Sequence, residues 1–181
     1  STPLAPPPPT LFLNDADIAA LADWRSAVEA LAHAYGLPLS AAMVPPRSMA
    51  RGEGFWLRSL TAISPSGATM GNKLIAASPR ARCASYLISL FDQQTMALVA
   101  LLDGNRVTGL RTAATAAVAV DRLAPRRPLA VGVIGAGFEA RNALECLAAV
   151  RTLGKVSVFS PTPASRERFA EGFRPALEIS V

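Results

Sequence analysis

One histidine and two cysteines in 181 residues already remove several chemistries. Cys83 and Cys146 form no CxxC and no Cys/His spacing, so neither a zinc site nor a disulfide framework is expected. Burial is the expected fate of both, no metal is expected, and a reducing cytoplasm is the simplest compartment. With no second histidine to share a ligand, His33 reads as a surface or structural residue.

Aromatic residues supply only 6% of the chain, and the net charge of +5 comes mostly from scattered arginines. They run from Arg47, Arg51 and Arg58 to Arg166 and Arg168. A nucleic-acid face gathers such charge or interleaves it with aromatics, so small acidic molecules are the expected partners and nucleic acid is not. Long apolar runs are missing as well. The richest stretch, Thr112 to Val120, is too short and too alanine-rich to cross a bilayer, and no membrane partner is expected. The opening STPLAPPPPT has no basic and no apolar segment of a signal peptide, and reads as a polyproline lead-in over residues 1–10.

What the chain does have is apolar content, 51%, enough to bury a core. TLFLN reads as a strand ending at Asn14, an N-cap for a helix to about Asp23. A second helix carries Trp24, Val28, Leu31 and Tyr35 at helical spacing and stops at Gly36 and Pro38. From Met43 to Leu102 the pattern turns to strands: GFWLRSLTAIS, GNKLIAAS, YLISLFD and MALVALLD, parted by turns such as SPSGAT. VTGLRTAATAAVAVDRLA is strongly helical, with Thr108 as the expected N-cap, and PRRP ends it. A domain boundary is placed near Pro125 to Pro128, giving an α+β domain over 11–127 and a second domain over 128–181.

The second domain reads strand (Leu129–Ile134), helix (Phe138–Val150), strand (Val156–Phe159), helix (about Ala164–Gly172) and a short strand LEISV. This is α/β, the first half of a Rossmann-like doubly wound sheet. At its first turn, GVIGAGFEA places Gly135, Gly137 and Ala140 at the G-x-G-x-x-A positions of a dinucleotide fingerprint. Gly135 permits the tight turn, Gly137 lets backbone approach a pyrophosphate, and Ala140 lets helix and strand pack closely. The amides that open the following helix then face the phosphates. The second strand carries Ser160 where NAD-selective sites place an acid. Ser160 and Thr162 can hydrogen-bond a 2′-phosphate and Arg166 or Arg168 can supply charge, so the cofactor is NADP(H) or NAD(H), with NADP(H) favoured.

Upstream, Arg47 follows two prolines, Lys73 begins an apolar strand and Arg111 is placed at the N-terminal end of a helix. Three cations on separate elements are able to converge on a carboxylate. VTGLRTAATAAVAVDRLA followed by VGVIGAGFEAR resembles the ornithine cyclodeaminase/mu-crystallin family, in which an LTxxRTAA helix leads into a GAGxQA turn. PPRSM, GNKLIAASP and LLDGNRVT precede it in the expected order, so the resemblance runs from about Leu11 to the end.

The resemblance implies an α+β substrate-binding and dimerisation domain ahead of the cofactor domain, and a homodimer. It implies that Arg47 and Lys73 hold the carboxylate of a small amino or imino acid, with Lys73 also catalytic in proton transfer. Arg111 would lie between substrate and cofactor, Thr112 would touch the cofactor, and Phe138 and Glu139 would offer backbone at the pyrophosphate.

Three departures stand out: Glu139 in place of the usual glutamine, no asparagine after the proline of SPRAR, and Met96 in place of a common glycine. Family members also continue well past this point, where the cyclodeaminases carry a proton-donating aspartate, so the chain is expected to be part of a longer protein. The expected activity is hydride transfer at the α-carbon of a small α-amino or cyclic α-imino acid, of ketimine reductase or amino-acid dehydrogenase type. The alternatives are an ornithine cyclodeaminase and a non-catalytic NADP(H)-binding protein.

Overall fold

In the computed structural model, which describes residues 8–181, strand β1 (Leu11–Leu13) runs directly into an N-cap. Residues 1–7 of the proline-rich lead-in fall outside the described residues. The Asn14 side-chain oxygen accepts from the amides of Ala16 and Asp17 at 2.9 and 3.0 Å, and Asp17 accepts back from the Asn14 amide at 2.9 Å. This reciprocal box starts α1 (Asp15–Leu21). Asp23 then caps α2 (Trp24–Gly36), accepting from the Ser26 amide at 2.7 Å, so α1 stops at Leu21, short of Asp23.

The chain divides into two compact units, one holding residues up to Leu21 and His33–Val107, the other Ala22–Ala32 and Thr108–Val181. The first unit is built on β2 (Ser48–Gly52), β3 (Phe55–Ile63), β4 (Thr69–Ser78), β5 (Cys83–Asp92) and β6 (Leu98–Asp103). Its sheet has the order β1-β6-β5-β4-β3-β2, with β1 parallel to β6 and every other pair antiparallel.

Because alternate residues share a face, the register sorts the strands into two surfaces. One carries Ile88, Leu90, Ala100 and Leu102, covered at the β5–β6 end by Ile18 of α1. The opposite face carries Phe55, Leu57, Ile63 and Leu87, which remain 61%, 50%, 39% and 44% exposed. Cys83, at the start of β5, is exposed rather than buried as expected, because the strand edge there has no layer over it.

The second unit holds β7 (Leu129–Ile134), α4 (Phe138–Val150), β8 (Leu153–Phe159), α5 (Pro163–Glu171) and β9 (Ile179–Ser180), with parallel strands in the order β7-β8-β9. Leu144, Val156, Val158, Phe169 and Phe173 form its core. The two phenylalanine rings lie 5.0 Å apart, and the Arg141 guanidinium covers both.

Helix α3 (Asn105–Leu123) is the long alanine-rich helix. Its Ala113, Ala114 and Ala117 pack with Cys146 against Trp24, Val28 and Leu31 of α2, the close approach that small side chains allow. This packing starts the second unit at Thr108, ahead of the prolines at 125–128. Cys146 is wholly buried and desolvation pushes its thiol up to about 11, which makes it a packing residue. No helix among the described residues is long and apolar enough to cross a membrane.

Candidate functional site

The glycine turn between β7 and α4 has the geometry its sequence implies. Gly135 sits at φ +108°, a conformation that L side chains rarely adopt, and its amide donates to the Phe159 carbonyl at 2.7 Å. That bond ties the turn to the C-terminal end of β8, which brings Gly135, Gly137, Phe138 and Glu139 to the same edge as Ser160 and Thr162. Gly137 is the N-cap of α4 and, having no side chain, caps nothing. The first intrahelical bond runs from the Arg141 amide to Gly137, so the amides of Phe138, Glu139 and Ala140 keep no acceptor within the helix.

A Cβ on Gly135 or Gly137 would meet nothing within 4 Å, so the turn opens onto free space that any side chain there would occupy. Ala140, on the inner side of α4, packs against the β-sheet core. Open space, an uncapped helix N-terminus and donor-only chemistry fit a pyrophosphate.

Glu139 is exposed in the first turn of α4, where the helix dipole favours a carboxylate. At the end of β8, Arg166 donates to the Ser160 carbonyl at 2.5 Å and lies 5.8 Å over the Phe159 ring. Thr162 is the N-cap of α5, with its hydroxyl making no cap bond. Arg168 turns instead to the Ser165 hydroxyl, 3.3 Å away.

Arg111 and Thr112 lie on α3 in this same unit, but deeper in the helix than the sequence suggests. The helix opens at Asn105, whose amide donates to Asp103 at 2.8 Å, so Thr108 is an interior residue and not the cap. Arg111 is therefore beyond the first turn, where the dipole's pull on an anion has faded. It is exposed, while the Thr112 hydroxyl donates to the Thr108 carbonyl at 2.7 Å.

Sequence reasoning missed two neighbours here. A Cβ on Gly109 would collide with the Asn142 amide and the Phe138 ring, and Asn142 Nδ2 is buried without a partner. A lone glycine inside a helical pattern was the available signal, since such a residue costs helix stability unless it serves packing.

In the first unit, Lys73 projects from β4 opposite Leu60 and Ile88, with its ammonium 5.1 Å from the centre of the Tyr86 ring. It lines a hollow of about 250 Å³ whose other walls include Ala62, Gly71, Ile88 and Leu90. Gly71 is required there, because a Cβ would run into the Ser89 carbonyl. Arg47 is exposed immediately ahead of β2, the strand that sets Arg51 opposite Trp56. Arg47 and Lys73 thus belong to the first unit, and Arg111, Thr112 and the glycine turn to the second.

A family model for the ornithine cyclodeaminase/mu-crystallin family matches residues 67–181, from the β3–β4 turn through the glycine turn to Val181. The chain belongs to this family. Among its relatives, an iminosuccinate reductase of Paracoccus denitrificans is 37% identical over 84 residues, 46% of this chain and 26% of that one. A Delta(1)-pyrroline-2-carboxylate reductase of Bacillus cereus is 31% identical over 131 residues, 72% of this chain and 37% of that one. The fold matches an archaeal alanine dehydrogenase dimer with bound NAD at a TM-score of 0.84 and 24% identity, covering 95% of this chain and 55% of that one. The chain thus spans about half the length of that structure. The fold expected from the sequence, an α+β unit leading into half of a doubly wound sheet, is the one this family shares.

Proposed function

We propose that the protein carrying this chain is an NAD(P)-dependent enzyme that transfers hydride at the α-carbon of a small α-imino or α-amino acid, of the ketimine reductase type. The observation that carries this reading is the glycine turn: unpartnered amides at the start of α4, open space at Gly135 and Gly137, and a bond to the end of β8, in a family whose relatives above include two imino-acid reductases. When bound, the reduced nicotinamide supplies a hydride to the carbon of a C=N bond. Gly135, Gly137 and the amides of Phe138 and Glu139 hold the pyrophosphate. Arg111 and Thr112 serve at the cofactor from α3.

Arg47 and Lys73 hold the substrate carboxylate, and the Lys73 ammonium is the proton source at the reacting nitrogen. Ser160 and Thr162, with Arg166 already drawn to the end of β8, favour a 2′-phosphate and hence NADP(H). In this reading, residues 11–127 form the substrate-binding and dimerisation domain, and 128–181 begin the cofactor domain. The apolar sheet face of Phe55, Leu57, Ile63 and Leu87 is the surface that a second copy of the chain covers, giving a homodimer. A cytoplasmic location accords with an exposed, unpaired Cys83.

The test is loss of nicotinamide absorbance on mixing the protein, as the cell makes it, with NADPH and Delta(1)-pyrroline-2-carboxylate. Consumption of NADPH with formation of proline is the expected result. Proline made from ornithine without net cofactor change would replace the reductase with a cyclodeaminase. Tight NADPH binding without turnover of either compound would replace it with a binding protein.

A further inference from the structure

The face of the first sheet that bears Lys73 holds more positive charge than one carboxylate needs. Between Met43 and Phe91 the chain carries Arg47, Arg51, Arg58, Lys73, Arg80 and Arg82, against Glu53 as the sole acid. Register puts Arg51 opposite Trp56, and Arg58 opposite Ile75, the residue two places from Lys73. Arg51, Arg58 and Lys73 therefore share a face, with Arg58 and Lys73 as diagonal neighbours, a relation that sets the two residues roughly 7–8 Å apart, within reach of long side chains.

Arg58 is the informative one. Its guanidinium carbon lies 5.0 Å from the Trp56 ring centre, which fixes the side chain, and its Nε is buried with no hydrogen-bond partner. None of the ion pairs among the described residues involves it. A buried charged donor without an acceptor is costly, and a fork-shaped guanidinium held in place by a ring is built to receive a carboxylate in its plane.

We infer that Arg58 receives a second carboxylate of the substrate, so that the preferred substrate is a small dicarboxylic α-imino acid, one acid group held by Arg47 and Lys73 and the other by Arg58. This rests on the hydride-transfer reading above and narrows its substrate class. The reaction balances simply. The imine carbon takes the hydride, with its electron pair, from the reduced nicotinamide; the C=N π bond breaks and the nitrogen takes a proton. An amino dicarboxylate and the oxidised nicotinamide leave.

Two imines that differ only by the second acid group decide the matter: those formed in solution by ammonia with oxaloacetate and with pyruvate. The full-length protein with NADPH is expected to show a kcat/KM about 100-fold higher for the oxaloacetate imine, the difference residing in KM. Arg58→Met is expected to lower kcat/KM far more for the oxaloacetate imine than for the pyruvate imine, bringing the two within about 3-fold of each other, and Arg58→Lys to restore part of the preference, since a lysine keeps the charge and loses the fork. Calorimetry gives a readout apart from turnover: succinate, which cannot be reduced, is expected to bind the NADPH-loaded wild type and to lose about 100-fold in affinity in Arg58→Met.

Equal kcat/KM for the two imines, or an Arg58→Met effect of the same size on both, would overturn the second-carboxylate site and leave hydride transfer standing. Turnover of neither imine, nor of pyrroline-2-carboxylate, would overturn hydride transfer and this inference with it. Melting temperatures of both variants within a few degrees of wild type separate loss of the site from loss of the fold.

Discussion

The two units offer different parts of the chain to the ligands proposed for them. In the parallel unit the groups proposed to meet a cofactor are backbone: amides at the start of α4 and the bare Cα atoms of Gly135 and Gly137. In the antiparallel unit the proposed groups are side chains, Lys73 and Arg58 standing on strands whose backbone is consumed by the sheet and Arg47 just ahead of β2. A backbone site tolerates changes of side-chain chemistry and fails when a Cβ is added. A side-chain site does the reverse.

The largest expected effect follows from the side-chain half. Lys73→Met removes a charge and the proposed proton source while keeping length, and steady-state rates should fall by roughly 10²–10⁴-fold in kcat/KM. NADPH affinity, measured by calorimetry, should stay within a few-fold. A parallel loss of cofactor binding would mean that Lys73 does not belong to a separate substrate site.

The next tests the core that packs beneath the glycine turn. Phe169 is 1% exposed and packs on Phe173 beneath the Arg141 guanidinium, so Phe169→Ala should cost about 3–5 kcal/mol of stability in denaturant titrations. A loss under about 1 kcal/mol would mean that the ring is not the centre of that core.

A smaller effect, of opposite sign, is expected in the β5–β6 turn. Met96 sits at φ +61°, where a side chain is strained, and Met96→Gly should raise the unfolding free energy by up to about 1 kcal/mol. Unchanged or lowered stability would show that the Met96 side chain earns its place through contacts.

The smallest concerns the cap of α2. Hydrogen bonds from the Ser26 hydroxyl and then the Ser26 amide hold the Asp23 carboxyl below its ordinary value of 3.8. A depressed carboxyl stabilises the fold above that ordinary value and ceases to do so as the pH falls through the folded one. Asp23→Ala should thus lower the melting temperature near neutral pH, and the gap to wild type should close on acidification below about pH 3.8. A gap that is independent of pH would assign the loss to helix propensity instead of the cap.

The same contrast explains what could be read from the sequence. The strand, glycine turn and helix α4 at Phe138–Val150 were legible to the residue, because glycines at fixed spacing between a strand and a helix leave a mark that side-chain swaps do not blur. The strands of the meander were legible from their turns and apolar runs, while β2 (Ser48–Gly52) was not singled out: SMARG is short, exposed throughout and carries no apolar alternation. The start of α3 was misplaced because Asp103 caps it from two residues ahead of Asn105, and Thr108, a good cap by type, is simply carried inside. Arg58 could not be told from a surface charge, since what distinguishes it, a stacked ring and a buried donor without a partner, exists only once β3 and β4 are in register.

Calorimetric titration of NADPH into the full-length protein and into Gly137→Val tests the central claim most directly. The turn as described requires tight binding in the wild type and, with a side chain filling the open space beside the α4 amides, affinity weakened on the order of 100-fold, roughly 2.8 kcal/mol, at an unchanged melting temperature. Equal affinity in the two proteins, or no binding in a folded wild type, would contradict the assignment of this turn to a dinucleotide.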